Sequence, residues 1–194
     1  MTMRCRVVWA LFALAACARS RESRRGAAPT DNPEVARQLD DDQRARSRPI
    51  ESADMDALRR QDSVHRVRLR TIEAAGALRT AHDYYHAAMI YQHGWDSLSY
   101  ERAYAFARRR EAMDSTDEAV LWLVAASWDR LQQSRGQPQW YGTQTMRRGG
   151  AGPVLLYTLD AGKVSDAERT RRVVGTVAQL QARLDTVNRR LGLR

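Results

Sequence analysis

The chain has 194 residues, of which 32 are basic and 23 acidic, giving a formal net charge of +9. Arg4 and Arg6 supply two of those charges and residues 18–30, with four arginines against Glu22, supply three, so the remainder carries only about +4 and gives no reason to expect a nucleic-acid partner. Both cysteines, Cys5 and Cys17, lie in the same early stretch, so residues 18–194 hold no thiol for a disulfide, a metal site or catalysis.

Arg4 and Arg6 stand ahead of an apolar run from Val7 to Ala16, which is too short for a stable transmembrane helix and suits a signal peptide. Leu14-Ala15-Ala16-Cys17 resembles the bacterial lipobox, in which a small residue precedes a cysteine whose thiol takes a diacylglyceryl group. The alternative is an ordinary secretory signal with a chance cysteine. The lipobox reading predicts a signal peptide over residues 1–17, a basic tether over 18–30 and one domain over 31–194. That domain would sit in the cell envelope outside the cytoplasm, with a membrane as partner through lipidated Cys17. A basic tether beside anionic lipid accounts for its own charge.

Asn32-Pro33-Glu34 reads as an N-cap, a proline at the first helical position and an acid in the first turn, opening a helix to about Arg46 with Val35 and Leu39 on its apolar face. A second helix is expected from about Ala53 to Ala75, with Met55, Leu58, Val64, Leu69 and Ile72 among its apolar positions and Gly76 as its stop. Thr80 with Asp83 resembles a capping box, and the helix it opens should run to His93, ended by Gly94. A fourth helix, about Ser97 to Met113, sets Leu98, Tyr100, Tyr104 and Phe106 against several arginines and should lie on the surface. Ser115-Thr116-Asp117-Glu118 forms a capping-box pattern before an all-round apolar segment at 119–128, which should be the central helix. Past it, Gln144 to Met146 and the run from Val154 to Leu159 flank a glycine-rich turn and pair as a small hairpin. Ser165 with Glu168 opens a last helix to about Leu191, with Val173, Val177, Leu180, Leu184 and Val187 on one stripe. The expected fold is mainly α: a helical bundle of about six helices with a small β-hairpin after residue 142.

In such a bundle the first, third and fifth helices point the same way, so their C-terminal ends share a pole. That pole would gather Asp42, Gln43 and Arg46, then Gln92 and His93, then Asp129 and Arg130, with the loop Gly136 to Gln144 starting beside them. Asp129 stands near a helix C-terminus, where the macrodipole disfavours a carboxylate, so another group must hold it. Arg130, Arg46 or the loop glutamines could do so in a functional site, and a structural clasp for the loop backbone is the alternative. His93 reads either as a carbonyl-capping residue or as a general base or donor held by Gln92, Asp129 or Tyr141.

His82, Asp83 and His86 have zincin-like spacing, but the acid is the shorter aspartate and no glycine turn precedes a third histidine, so chance histidines and no metal are expected. Tyr100 to Leu131 resembles a tetratricopeptide helix pair without a second copy, which argues against a repeat array. No phosphate-binding loop, nucleophile elbow or cofactor motif is present.

Gln92-His93, Asp129-Arg130 and the loop's Gln139, Tyr141, Gly142, Thr143 and Gln144 resemble a bacterial family of domains of unknown function marked by Q-H, D-R and Q-x-Y-G-T-Q. Asp42-Gln43 and Asp62 also fit its pattern, whereas Gly76-Ala77-Leu78 lacks the Gly-Trp-Pro that follows the family's second helix. The resemblance spans about residues 36–145 and implies a shared polar site, with members that are often secreted or lipid-anchored. The resulting expectation is a lipid-anchored binding module, with Asp42, Gln43, Gln92, Gln139, Tyr141, Thr143 and Gln144 taking a polar small ligand, glycan or peptide. The alternative is a hydrolase or transferase in which His93 is the base, Asp129 orients it and Arg130 holds developing charge.

Overall fold

A computed structural model of the chain describes residues 28–47, 55–147 and 151–193. The lipobox, Cys17 and most of the basic tether lie outside the described residues, as does the tip of the hairpin. Contacts gather Asp31–Arg194 into one unit. Among the described residues it contains α1 (Pro33–Arg46), α2 (Met55–Ala74), α3 (Ala81–Gln92), α4 (Ser97–Glu111), α5 (Glu118–Ser134), β1 (Thr145–Arg147), β2 (Val154–Leu156), α6 (Asp166–Arg171) and α7 (Val177–Arg190). The protein is thus mainly helical, with one small antiparallel sheet in which Thr145 pairs with Leu156 and Arg147 with Val154.

Local bonds start the helices where the sequence signals them. The Asn32 side chain accepts from the backbone of Glu34 and Val35, and Pro33 occupies the first turn of α1. Thr80 and Asp83 form a reciprocal capping box at α3. Asp83 goes further: its carboxylate also accepts from the backbone N–H groups of Asn32 and Arg79, tying the start of α1 to the start of α3. At the other end of the same two helices Asp42 meets His93, so α1 and α3 run parallel. α5 is capped by Asp117, two residues later than the expected Ser115 cap, because the Asp117 carboxylate takes the N–H groups of Ala119 and Val120.

The core joins Val35 and Leu39 of α1, Leu69 and Ile72 of α2, Tyr84, Ile90 and Tyr91 of α3 and Ala103 of α4. Full burial of each large side chain contributes about 1.5–3 kcal/mol, enough for this layer to dominate the stability of the bundle. α4 is less peripheral than expected. Its buried stripe is Ser99, Ala103 and Ala107, small residues that let α3 and α5 approach on either side, while Leu98 faces water. A Cβ on Gly94 would stand 2.2 Å from the Ser99 Cβ, so this glycine serves close packing of the α3–α4 turn.

Three expectations about faces are corrected. In α2, Met55 and Val64 are exposed, and the buried stripe consists of Asp62, His65, Arg66, Leu69 and Ile72. The expected last helix is two helices, making seven among the described residues where about six were expected. α6 ends in a Schellman-type turn, with Val174 N–H bonding the Arg169 carbonyl and Val173 in the left-handed region at φ 59°. Thr176 and Gln179 then form a new capping box for α7. The break turns Val173 outward, and Val187 is also exposed, so only Leu180 and Leu184 of the expected stripe are buried with their neighbour Val174.

Candidate functional site

The polar residues of the expected pole separate into two bonded groups. The first is built on Asp129, which is fully buried in α5. Its Oδ1 accepts from the backbone N–H groups of Trp140 (2.8 Å) and Tyr141 (3.0 Å). Its Oδ2 accepts from the N–H groups of Gly142 (3.0 Å) and Thr143 (2.9 Å) and from the Thr143 hydroxyl (2.8 Å). One carboxylate therefore gathers four consecutive amides and a hydroxyl, which offsets the unfavourable helix end. Such a carboxylate has no acceptor capacity left for a histidine.

The rest of the loop is locked in the same way. Gln139 is fully buried; its Nε2 donates to the carbonyls of Gln144 and Tyr157, and its Oε1 accepts from Gln144 N–H. The Gln144 amide donates to the Thr143 hydroxyl. Tyr141 packs with Ala125, Val174, Leu180 and Leu156, and burial pushes its phenol up. Gly142 sits at φ +93°, and a Cβ there would stand 2.6 Å from Leu180. Arg169 of α6, buried and absent from the expectations, donates to the Trp140 carbonyl at 2.9 Å and to the carbonyls of Ala161 and Val164. Gln139, Tyr141, Thr143 and Gln144 thus build the loop. Gly142 and Thr143 also touch a cavity of about 200 Å³ whose other walls include Trp122, Leu156, Val173 and Leu180.

The second group is built on Asp42. Its Oδ2 lies 2.7 Å from His93 Nδ1 and accepts from Gln43 Nε2 at 3.0 Å, while Oδ1 accepts from Arg46. Arg46 also donates to Asp62 Oδ1 at 2.7 Å, and Asp62 Oδ2 accepts from the indole N–H of Trp95 at 3.3 Å. The two carboxylates are buried, whereas the Arg46 side chain is 25 % and the His93 side chain 15 % exposed. Trp95 is 51 % exposed and carries the Arg59 guanidinium over its ring at 4.7 Å.

A carboxylate can only accept, so the Asp42 bond places a proton on His93 Nδ1, and in the neutral ring that leaves the lone pair on Nε2. No described residue bonds Nε2. Sequence reasoning paired His93 with Asp129, Gln92 or Tyr141; the fold pairs it with Asp42. Arg130 bonds neither Asp129 nor Asp42; its NH1 donates to the Gln92 carbonyl at 3.1 Å and its guanidinium lies over Tyr100. Gln92 is buried, with its Oε1 unbonded. Asp62 entered the sequence reading only through the resemblance, and His65 and Arg66 did not enter it. Their spacing with Leu69 and Ile72 on α2 was the available signal.

His82, Asp83 and His86 do not converge on a metal. Asp83 is held by backbone amides, His82 bonds Asp31, and His86 stacks on His82 with its imidazole held below the ordinary value by burial first and by His82 second. Among the described residues no group of three His, Cys, Asp or Glu side chains is placed to hold a metal ion, and no helix is long and apolar enough to cross a membrane. No protein-family model, curated protein or solved structure matches the chain.

Proposed function

We propose that this chain is a lipid-anchored bacterial cell-envelope protein whose helical domain binds a polar ligand at the Asp42–His93 pair. The lipobox-like Leu14-Ala15-Ala16-Cys17 and the resemblance to a family with secreted or lipid-anchored members support the anchoring. One observation carries the binding reading: His93 is oriented through Nδ1 by a buried carboxylate that also holds partly exposed Arg46, its Nε2 has no partner among the described residues, and exposed Trp95 follows two residues on. An imidazole so held accepts a hydrogen bond, Arg46 supplies a charged edge, and Trp95 offers a flat apolar face. That combination suits a hydroxyl- or amide-bearing ligand, a glycan or a peptide.

The test is a titration of the full chain with soluble glycans and short peptides, reading the ¹⁵N signals of the His93 ring. A binder should shift Nε2, and His93→Gln should weaken its binding at least tenfold. Ligands that bind the variant as tightly as the parent would sink the reading.

A second reading keeps the alternative of a hydrolase or transferase, with Asp42 as the orienting carboxylate. The same bond that fixes the tautomer leaves Nε2 able to take a proton from water or a ligand hydroxyl. Turnover of any ligand that shifts the His93 signals, lost in His93→Gln, would favour this reading over simple binding.

A further inference from the structure

The cavity of about 200 Å³ beside the loop lies where α5, the loop itself, the hairpin and the α6–α7 turn meet α7. Its floor and its mouth differ in chemistry. The buried side chains of the wall, Val174, Leu180 and Leu184, are all hydrocarbon. Those that reach water include Trp122, Val173 and Arg183. Trp122 is 41 % exposed although its neighbours Leu121 and Leu123 in α5 are buried, so its indole belongs to the mouth of the cavity and not to the core. An apolar floor with a polar rim is the usual make-up of a small-molecule site.

The walls are also held in place. Gly142 and Thr143 both line the cavity, and their N–H groups are fixed by the Asp129 carboxylate. A Cβ on Gly142 would stand 2.6 Å from Leu180, so only glycine leaves that leucine where it is. Val173 keeps its left-handed backbone at φ 59°, which a β-branched residue does only where its surroundings over-determine it. A cavity with such walls exists before any ligand arrives, which lowers the cost of binding.

Among the described residues, Arg183 is the one charged group on the wall. Its NH2 donates to the carbonyl of Val174, a floor residue, which seats the guanidinium at the edge of the hydrocarbon. Among the described residues it has no other hydrogen bond and no carboxylate partner. A seated cation with free N–H groups beside an apolar cavity is complementary to an anion that carries an apolar body.

We infer that this cavity binds a small monocarboxylate, its hydrocarbon body against Leu180 and Leu184 and its carboxylate bonded to Arg183. An apolar cavity of about 150 Å³ takes up benzene, so this larger one has room for a body of about six to eight carbons. One guanidinium balances the single charge of a carboxylate, whereas a phosphate monoester carries up to about two. The site shares no residue with the Asp42–His93 pair and is separate from it.

The experiment is a titration of the full chain, in nanodiscs of zwitterionic phospholipid, with octanoate and, separately, octanol, followed by methyl NMR. Saturable octanoate binding is expected, with ligand contacts to the Leu180 and Leu184 methyl groups and an unmoved His93 ring. Octanol, with the same body and no charge, should bind at least tenfold more weakly. Arg183→Gln should bring octanoate down to the level of octanol and leave octanol unchanged. Leu156→Trp, which fills the cavity from β2, should abolish binding of both at an unchanged or raised melting temperature. The contacts seen in the parent chain decide the matter even if a variant fails to fold. Octanoate that makes no contact with these methyl groups, or that moves the His93 ring, would overturn the inference. So would an Arg183→Gln or a Leu156→Trp chain that binds octanoate as tightly as the parent.

Discussion

His93 and Asp42 meet at 2.7 Å although 51 residues separate them along the chain. The contact joins the C-terminal ends of two parallel helices and sets which imidazole nitrogen faces outward. Asp42→Asn keeps the shape but replaces an obligate acceptor with an amide that can also donate. It should redistribute the His93 tautomers and destabilise the chain by about 1–3 kcal/mol, because Arg46 loses one of two buried anions. The ¹⁵N shifts of the His93 ring and a denaturant titration check both parts. An unchanged tautomer would mean that Asp42 does not orient the ring.

Asp129 has the opposite character. With five donors on one buried carboxylate, Asp129→Ala leaves four amides and a hydroxyl unsatisfied and should cost about 3–5 kcal/mol in unfolding free energy. The His93 signals should stay nearly in place in the folded fraction. A variant of parental stability would refute the clasp.

Val173 is a β-branched residue at φ 59°, 43 % exposed, in the turn between α6 and α7. Left-handed backbone costs such a residue roughly 1–3 kcal/mol. Val173→Gly removes that strain and adds some unfolded-state entropy, so a net gain of about 1 kcal/mol is expected. The melting temperature is the measurement, and a fall would show that the valine side chain contributes more through the neighbouring cavity than its backbone costs.

The buried pair of Arg172 with Glu111 ties α6 to the end of α4, with N···O at 2.7 Å. Arg172 keeps its bond to Glu168 at 3.0 Å when Glu111 is removed, so Glu111→Ala should cost only about 1–3 kcal/mol, and Arg172→Met together with Glu111→Leu should recover most of it. A double-mutant cycle in urea reads the coupling. Additive losses would mean that the two side chains stand apart in solution.

Two of the depressed groups, a histidine and a glutamate, make separable contributions to the pH dependence. Burial first, and His82 second, hold His86 below its ordinary value of 6.5, so the unfolded chain binds the proton more readily than the folded one. Stability is present at neutral pH and should decline as pH falls through about 6.5. Glu168 is held below its ordinary 4.5 by its bond to Arg171 first, with further lowering by Arg172. Its contribution is present above 4.5 and lost as pH falls below it. Unfolding free energies from pH 8 to pH 3 should therefore fall in two stages, and His86→Gln should remove the upper one. A rise in stability between pH 7 and pH 5 would contradict this.

The sequence by itself determined the starts of several helices, because their signals act within a few residues: Asn32 with Pro33, Thr80 with Asp83, Ser165 with Glu168. It also determined that α5 is buried, since a segment apolar all round has no face for water, and that a small hairpin spans the glycine-rich turn, although its strands are Thr145–Arg147 and Val154–Leu156 where Gln144–Met146 and Val154–Leu159 were expected. Tertiary structure alone decided the site. Both Asp42 and Asp129 were within the expected pole, and only the rotation of α1 against α3 turned Asp42 toward His93 while the loop wrapped its amides around Asp129. The burial of Arg66 was equally invisible, because a polar residue on an amphipathic helix reads as solvated until a neighbouring element covers it. Helix caps are contacts between near neighbours, whereas a partner 51 residues away depends on how whole helices rotate and dock.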